Sequence, residues 1–140
     1  MKSKTETLES TVEIAPILTE PLAGKKVLLA EDDEVSQQQL SILLARMGAT
    51  VEIVTTGDQV LEKMLDCQCD MLFLDMHLPP FNTMELVRSL RKEHGLNIPI
   101  LGLSAADMSG RAVNAGVNHV LRKPLEASEI KSAIFQLQEA

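Results

Sequence analysis

The stretch KKVLLAEDDEVS, residues 25–36, decides the fold. Its apolar core, Val27 to Ala30, shows no alternation of polar and apolar positions, which is the pattern of a short strand buried on both faces. The strand runs straight into three acids, Glu31, Asp32 and Asp33. Helical spacing follows at once, with Leu40, Leu43, Leu44 and Met47 on one face and Gly48 placed to end the helix.

The same unit recurs outward from this stretch. Val51 to Val54 reads as a second strand, and Val60, Leu61, Met64 and Leu65 as a second helix. Met71 to Leu74 is a third apolar run, followed by helical spacing through Met84, Val87 and Leu90. Ile98 to Leu103 reads as the fourth strand, with Pro99 tolerable only near its start. A short helix around residues 107–115 precedes a fifth strand, Val117 to Leu121, and the last helix carries Ile130, Ala133, Ile134 and Leu137 on one face. Five strands alternating with five helices predict an α/β fold, a doubly wound parallel sheet with helices on both faces. Residues 1–23, with Pro16 and Pro21 and no sustained period, read as a linker or tail, leaving 24–140 as the folded domain.

Composition bounds the function. An apolar fraction of 45% supports a packed globule, and with no Trp, no Tyr and three Phe its core must be aliphatic. Met64, Met71, Met84 and Met108 are read as core fillers. A net charge of −7 argues against nucleic-acid binding or attraction to an anionic membrane by this chain. No apolar stretch is long enough for a membrane span. Cys67 and Cys69 lack the partners of a zinc site and are too close in sequence for an easy disulfide, so both are expected to be reduced thiols in a cytoplasmic protein.

The polar residues fall at the ends of the strands. Strand one meets Glu31, Asp32 and Asp33; strand three meets Asp75; strand four meets Ser104; strand five meets Lys123 and Pro124. In a parallel sheet with right-handed crossovers these ends share one edge, where ligands bind. Several carboxylates gathered there repel one another and call for a cation. The donor set is oxygen only, so the expected ion is Mg2+ (or Mn2+). Asp75 would then be a nucleophile able to form an acyl phosphate, with the ion and Lys123 stabilising the phosphoryl oxygens and the Ser104 hydroxyl donating to them. Asp33 reads as the cap of the first helix, with direct metal binding as the alternative.

The segments KKVLLAEDDEVS, CDMLFLDMHLPP, IPILGLSAAD and VLRKPL resemble the receiver domain of bacterial-type two-component signalling, over residues 24–140. The resemblance implies a flavodoxin-like sheet of strand order 2-1-3-4-5. It also implies that Glu31 and Asp32 are the acidic metal-binding pair, Asp75 the phosphoacceptor and His77 the donor of a backbone carbonyl to the metal. Ser104 takes the hydroxyl switch position and Lys123 that of the family's lysine, with a cis bond to Pro124. The His77 side chain could instead approach the phosphoryl group. The implied partner is a sensor histidine kinase or a histidine phosphotransfer domain, and the chain would be a stand-alone regulator or part of a hybrid kinase.

Three features depart from the family pattern. Val120 stands where an aromatic ring usually reports the movement of the hydroxyl, and Asn82-Thr83, after Pro79-Pro80, replaces the usual Asp-Gly. The interval from Ser104 to Lys123 is short, so the fourth helix should be abbreviated. Output through another face, or through partner affinity alone, is therefore expected. The alternative to a phosphoacceptor is a phosphorylation-independent pseudo-receiver that serves as an interaction module. A hydrolase with an aspartyl-phosphate intermediate would want a second Asp at the position of His77. The protein is expected to catalyse its own phosphorylation and dephosphorylation and no metabolic reaction.

Overall fold

The structure, a computed structural model, describes residues 20–66, 69–107 and 109–139. Residues 1–19, most of the segment read as a linker, lie outside these, as do Cys67 and Met108. The described elements are β1 (Lys26–Ala30), α1 (Glu34–Arg46), β2 (Thr50–Val54), α2 (Gly57–Asp66), β3 (Met71–Asp75), α3 (Thr83–Lys92), β4 (Ile100–Ser104), α4 (Ser109–Ala115), β5 (His119–Arg122) and α5 (Ala127–Glu139). The strands form one sheet in the order β2-β1-β3-β4-β5, every pairing parallel.

Alternate residues of each strand divide the core between the two faces of the sheet. Leu28, Leu72, Leu74 and Ile100 pack with Val60, Met64, Val87 and Leu90 from α2 and α3, and with Ala112 from α4. Val27, Leu29, Phe73, Leu101 and Leu121 pack on the other side with Leu40 and Leu44 of α1 and Ile130 and Ile134 of α5. Both faces of β3 and β4 are thereby buried throughout. The edge strand β2 is different, with Glu52 and Ile53 exposed. Met64, Met71 and Met84 are buried as expected, and Cys69 is half-buried against the core.

Leu22, two residues ahead of Gly24, is already part of the packed fold among the described residues: it is buried and its N–H donates to Met47 O at 2.8 Å. This contact requires Gly48. It sits at φ +97°, and a Cβ there would lie 2.7 Å from the Ala23 Cα. Two strands start two residues later than the sequence expectation. Strand β4 starts at Ile100 because Pro99 has no N–H to give; its carbonyl accepts from Leu72 N at 3.0 Å. Strand β5 starts at His119, since Val117 and Asn118 form the turn before it. There Asn118 Oδ1 accepts from Ile100 N at 2.8 Å and from Arg91 Nη2 at 2.7 Å. Helix α4 has only 7 residues, the abbreviation expected from the short interval.

Candidate functional site

The carboxyl edge of the sheet gathers what the sequence placed at its strand ends. Glu31 follows β1, Asp75 closes β3 and Lys123 follows β5. Carboxylate oxygens of Glu31, Asp32 and Asp75 lie within 4.8 Å of one another. Lys123 Nζ donates to both oxygens of Glu31 at 3.0 Å and to Asp75 Oδ2 at 3.2 Å. The side chain of Glu31 is 0% exposed and that of Asp75 9%, while Lys123 keeps 23% of its surface open. Asp32 is exposed at the rim.

The electrostatics follow from burial. Withdrawal from water is the largest influence on Glu31, and the neighbouring Asp75 adds to it. Lys123 pulls the other way without cancelling them, so the Glu31 pKa is pushed up to about 7. Burial works against the ammonium of Lys123, but its hydrogen bond to Glu31 and the charges of Asp75 and Glu31 outweigh burial and raise its pKa. Three carboxyl groups share one lysine. That excess of negative charge, with oxygen as the only donor atom, fits a hard divalent cation and no softer metal.

Local hydrogen bonds fix these groups in place. Asp33 caps α1, its Oδ2 accepting from Ser36 N at 2.9 Å, and that backbone donor holds its pKa below the ordinary value. It is therefore the helix cap, and the acidic cluster consists of Glu31, Asp32 and Asp75. Gln37, on the first turn of α1, donates from Nε2 to Glu31 O at 2.6 Å and ties the helix to the end of β1. The His77 side chain is exposed, while its N–H donates to Asp75 Oδ1 at 2.9 Å.

The replaced Asp-Gly has a structural use. Asn82 caps α3 by accepting from Glu85 N at 3.2 Å, and the buried Thr83 hydroxyl donates to Met76 O. Phe81 lies over Gly57, where a Cβ would come within 2.6 Å of its ring. The loop after Asp75 is thus pinned at both ends. The bonds Lys123–Pro124 and Pro79–Pro80 are both cis, the first as the resemblance implies.

Ser104 is buried one step beyond Leu103, the register partner of Asp75. Its hydroxyl is engaged by its own loop, donating to Ala106 O at 2.7 Å and accepting from Ala106 N at 3.1 Å. No local pattern points to this engagement, nor to Gln37 and Thr83 as braces. A Gln on the first turn of a helix and a Thr beside an N-cap are common, and only their tertiary partners mark them out.

Sheet order and the acid–lysine cluster at its carboxyl edge define a receiver-type α/β domain. The chain belongs to the response regulator receiver domain family, whose pattern matches residues 27–135. It is 30% identical over 123 residues to the Regulator of RpoS of Escherichia coli K12, a match covering 84% of this chain and 36% of that protein. With the sensor protein EvgS of the same organism it shares 31% over 136 residues, covering 95% of this chain and 11% of that protein. The chain thus spans only a minor part of these relatives. Among solved structures, the receiver domain of a Pseudomonas aeruginosa sensor histidine kinase is 28% identical and superposes with a TM-score of 0.75, covering 84% of this chain and 100% of that one. That structure holds a magnesium ion coordinated in its active-site cleft. Among the described residues, no helix is long and apolar enough to cross a membrane.

Proposed function

We propose that this domain accepts a phosphoryl group on Asp75 from the phosphohistidine of a sensor histidine kinase or histidine phosphotransfer domain, in a reaction that depends on Mg2+ (or Mn2+). The observation that carries this reading is the placement of Lys123 Nζ within 3.2 Å of both Asp75 and the buried Glu31. Glu31, Asp32 and Asp75 would hold the ion, with the backbone carbonyl of His77 as a further ligand. When bound, the ion supplies positive charge opposite the phosphoryl oxygens.

In the transfer, a carboxylate oxygen of Asp75 attacks phosphorus. The P–N bond breaks and its electron pair returns to the donor imidazole. Lys123, held beside the nucleophile by Glu31, faces the charge that develops on the phosphoryl oxygens. The Ser104 hydroxyl turns from Ala106 O to donate to the same group. Dephosphorylation reverses the roles: water attacks phosphorus, and the Asp75 carboxylate leaves. The donor's histidine must reach this edge of the sheet. Beside it, between α1 and the segment after β5, lies a groove of about 340 Å3 with Leu40, Leu43 and Leu125 in its walls and Lys123 at one end. Val35 and Ile42 of α1 are exposed on the same helix, which supports α1 as the docking element for the donor.

Incubation with Mg2+ and a small acyl phosphate, followed by intact mass measurement, tests the reading. A single added phosphoryl group is expected, lost on chelation of the metal and absent in Asp75→Asn. No incorporation by the native protein would instead support the pseudo-receiver.

A further inference from the structure

The hydroxyl given the task of meeting the phosphoryl group is already spoken for. A serine hydroxyl carries one proton, and that of Ser104 is donated to Ala106 O at 2.7 Å. To donate to a phosphoryl oxygen on Asp75, Ser104 must release Ala106 and with it the turn formed by residues 104–106. The carbonyl in the middle of that turn, Ala105 O, accepts a hydrogen bond from Arg122 Nε at 3.2 Å. Arg122 is the register partner of Ser104 across the β4–β5 ladder, and the next residue, Lys123, donates its N–H to Ser104 O at 2.8 Å. One exposed guanidinium therefore touches the switch loop while its chain neighbour carries the ammonium of the site. Val120, half-buried against the core on the α2–α4 side, has no polar atom with which to do this.

We infer that Arg122 is a latch on the β4–α4 loop: it holds Ser104 in its self-bonded position in the unphosphorylated domain and is released when Ser104 turns toward Asp75. This rests on the reading of Asp75 as phosphoacceptor and adds to it a route by which the site reaches the surface. It revises the expectation, drawn from Val120, Asn82-Thr83 and the short fourth helix together, that output uses another face or partner affinity alone. The aliphatic residue cannot report the movement of the hydroxyl, but the arginine two positions on is bonded to the loop that moves. Release changes the position of one positive charge at an exposed strand edge, a signal that a partner can read.

Two measurements on the whole chain test the latch. In the first, the Arg122 side-chain Nε–H and the His77 amide are followed by NMR while Mg2+ and beryllofluoride, a phosphoryl mimic, are added. The His77 amide, bonded to Asp75 Oδ1, reports filling of the site. Both signals are expected to shift together, with the Arg122 Nε–H losing its protection. A His77 shift with Arg122 unchanged would overturn the latch. No shift at His77 would count against the phosphoacceptor reading itself, and the second measurement then decides the latch alone. It compares amide exchange at Ala106 in the metal-free native protein and in Arg122→Ala. Exchange about two- to fivefold faster in the variant, at an unchanged thermal midpoint, is expected from loss of one exposed hydrogen bond. Equal exchange rates would sink the proposal. With a limiting small acyl phosphate, Arg122→Ala should also raise the phosphorylated-to-free ratio by about the same factor.

Discussion

Replacing Lys123 with Met removes the one cation that the described structure places between Glu31 and Asp75. The native ammonium meets Glu31 at 3.0 Å and Asp75 at 3.2 Å. Without it, carboxylates less than 5 Å apart repel by about 3–4 kcal/mol at an effective dielectric near 20. Removing one partner of a fully buried ion pair costs about 3–5 kcal/mol. Here there is an escape. Glu31, whose pKa stands at about 7 even beside the lysine, takes up a proton instead of remaining charged. Lys123 is also partly open to water, which weakens what is lost. The expected destabilisation of metal-free Lys123→Met at pH 8 is therefore about 1–3 kcal/mol, below the limit for a stranded buried charge. At pH 6, where Glu31 is already largely protonated in the native protein, the loss should fall below about 1 kcal/mol. Saturating Mg2+ should recover most of the deficit at pH 8, because the ion answers the same negative charge. With no Trp or Tyr in the chain, urea unfolding is best followed by far-ultraviolet circular dichroism. A deficit equal at both pH values, or one that Mg2+ leaves untouched, would refute the electrostatic account of this site.

Glu31→Gln tests the sign of the linkage from the other side. A carboxyl whose folded pKa is raised from 4.5 to about 7 contributes stability that is complete below the lower value and is lost as pH rises through the upper one. Relative to the native protein, metal-free Glu31→Gln should thus be more stable at pH 8 than at pH 5, as measured by urea midpoints; the reverse order would contradict the raised pKa. Arg91 fastens the end of α3 to Gly116 O at 2.9 Å, Leu96 O at 2.9 Å, Ile98 O at 2.6 Å and Asn118 Oδ1 at 2.7 Å. Arg91→Ala should lower stability by about 2–4 kcal/mol in denaturant titration while leaving phosphorylation by a small donor unchanged at temperatures where the fold persists. Ile42→Glu, on the exposed face of α1, should slow transfer from a protein phosphohistidine donor at least about tenfold and leave the rate with a small acyl phosphate within about twofold, in parallel time courses. Equal effects on the two donors would remove α1 from the docking surface.

Much of the architecture was legible from residues whose meaning is local. The unbroken apolar runs 27–30 and 71–74 have the pattern and length of strands covered on both faces, and the crossover rule then brought Glu31, Asp75 and Lys123 to one edge. Boundaries were read less well where a side chain from elsewhere decides them. Asn118 closes a turn by bonding Ile100 and Arg91, so β5 begins later than the apolar run beginning at Val117 suggests. The Asn82-Thr83 departure looked like a loss in the sequence. In the fold it is a cap and a buried hydroxyl brace, because Met76 O happens to lie within reach of Thr83.

The sequence by itself determined the order of elements, the parallel sheet and the set of polar groups at its carboxyl edge, since apolar period and chain connectivity are properties of neighbouring residues. Only the tertiary structure decided that Glu31 is sealed from water, that Lys123 holds two acids at once, and that Ser104 is bonded to its own loop with Arg122 reaching the carbonyl beside it. Burial and pairing depend on distances between segments remote in the chain, and those distances are set when the two faces of the sheet are packed.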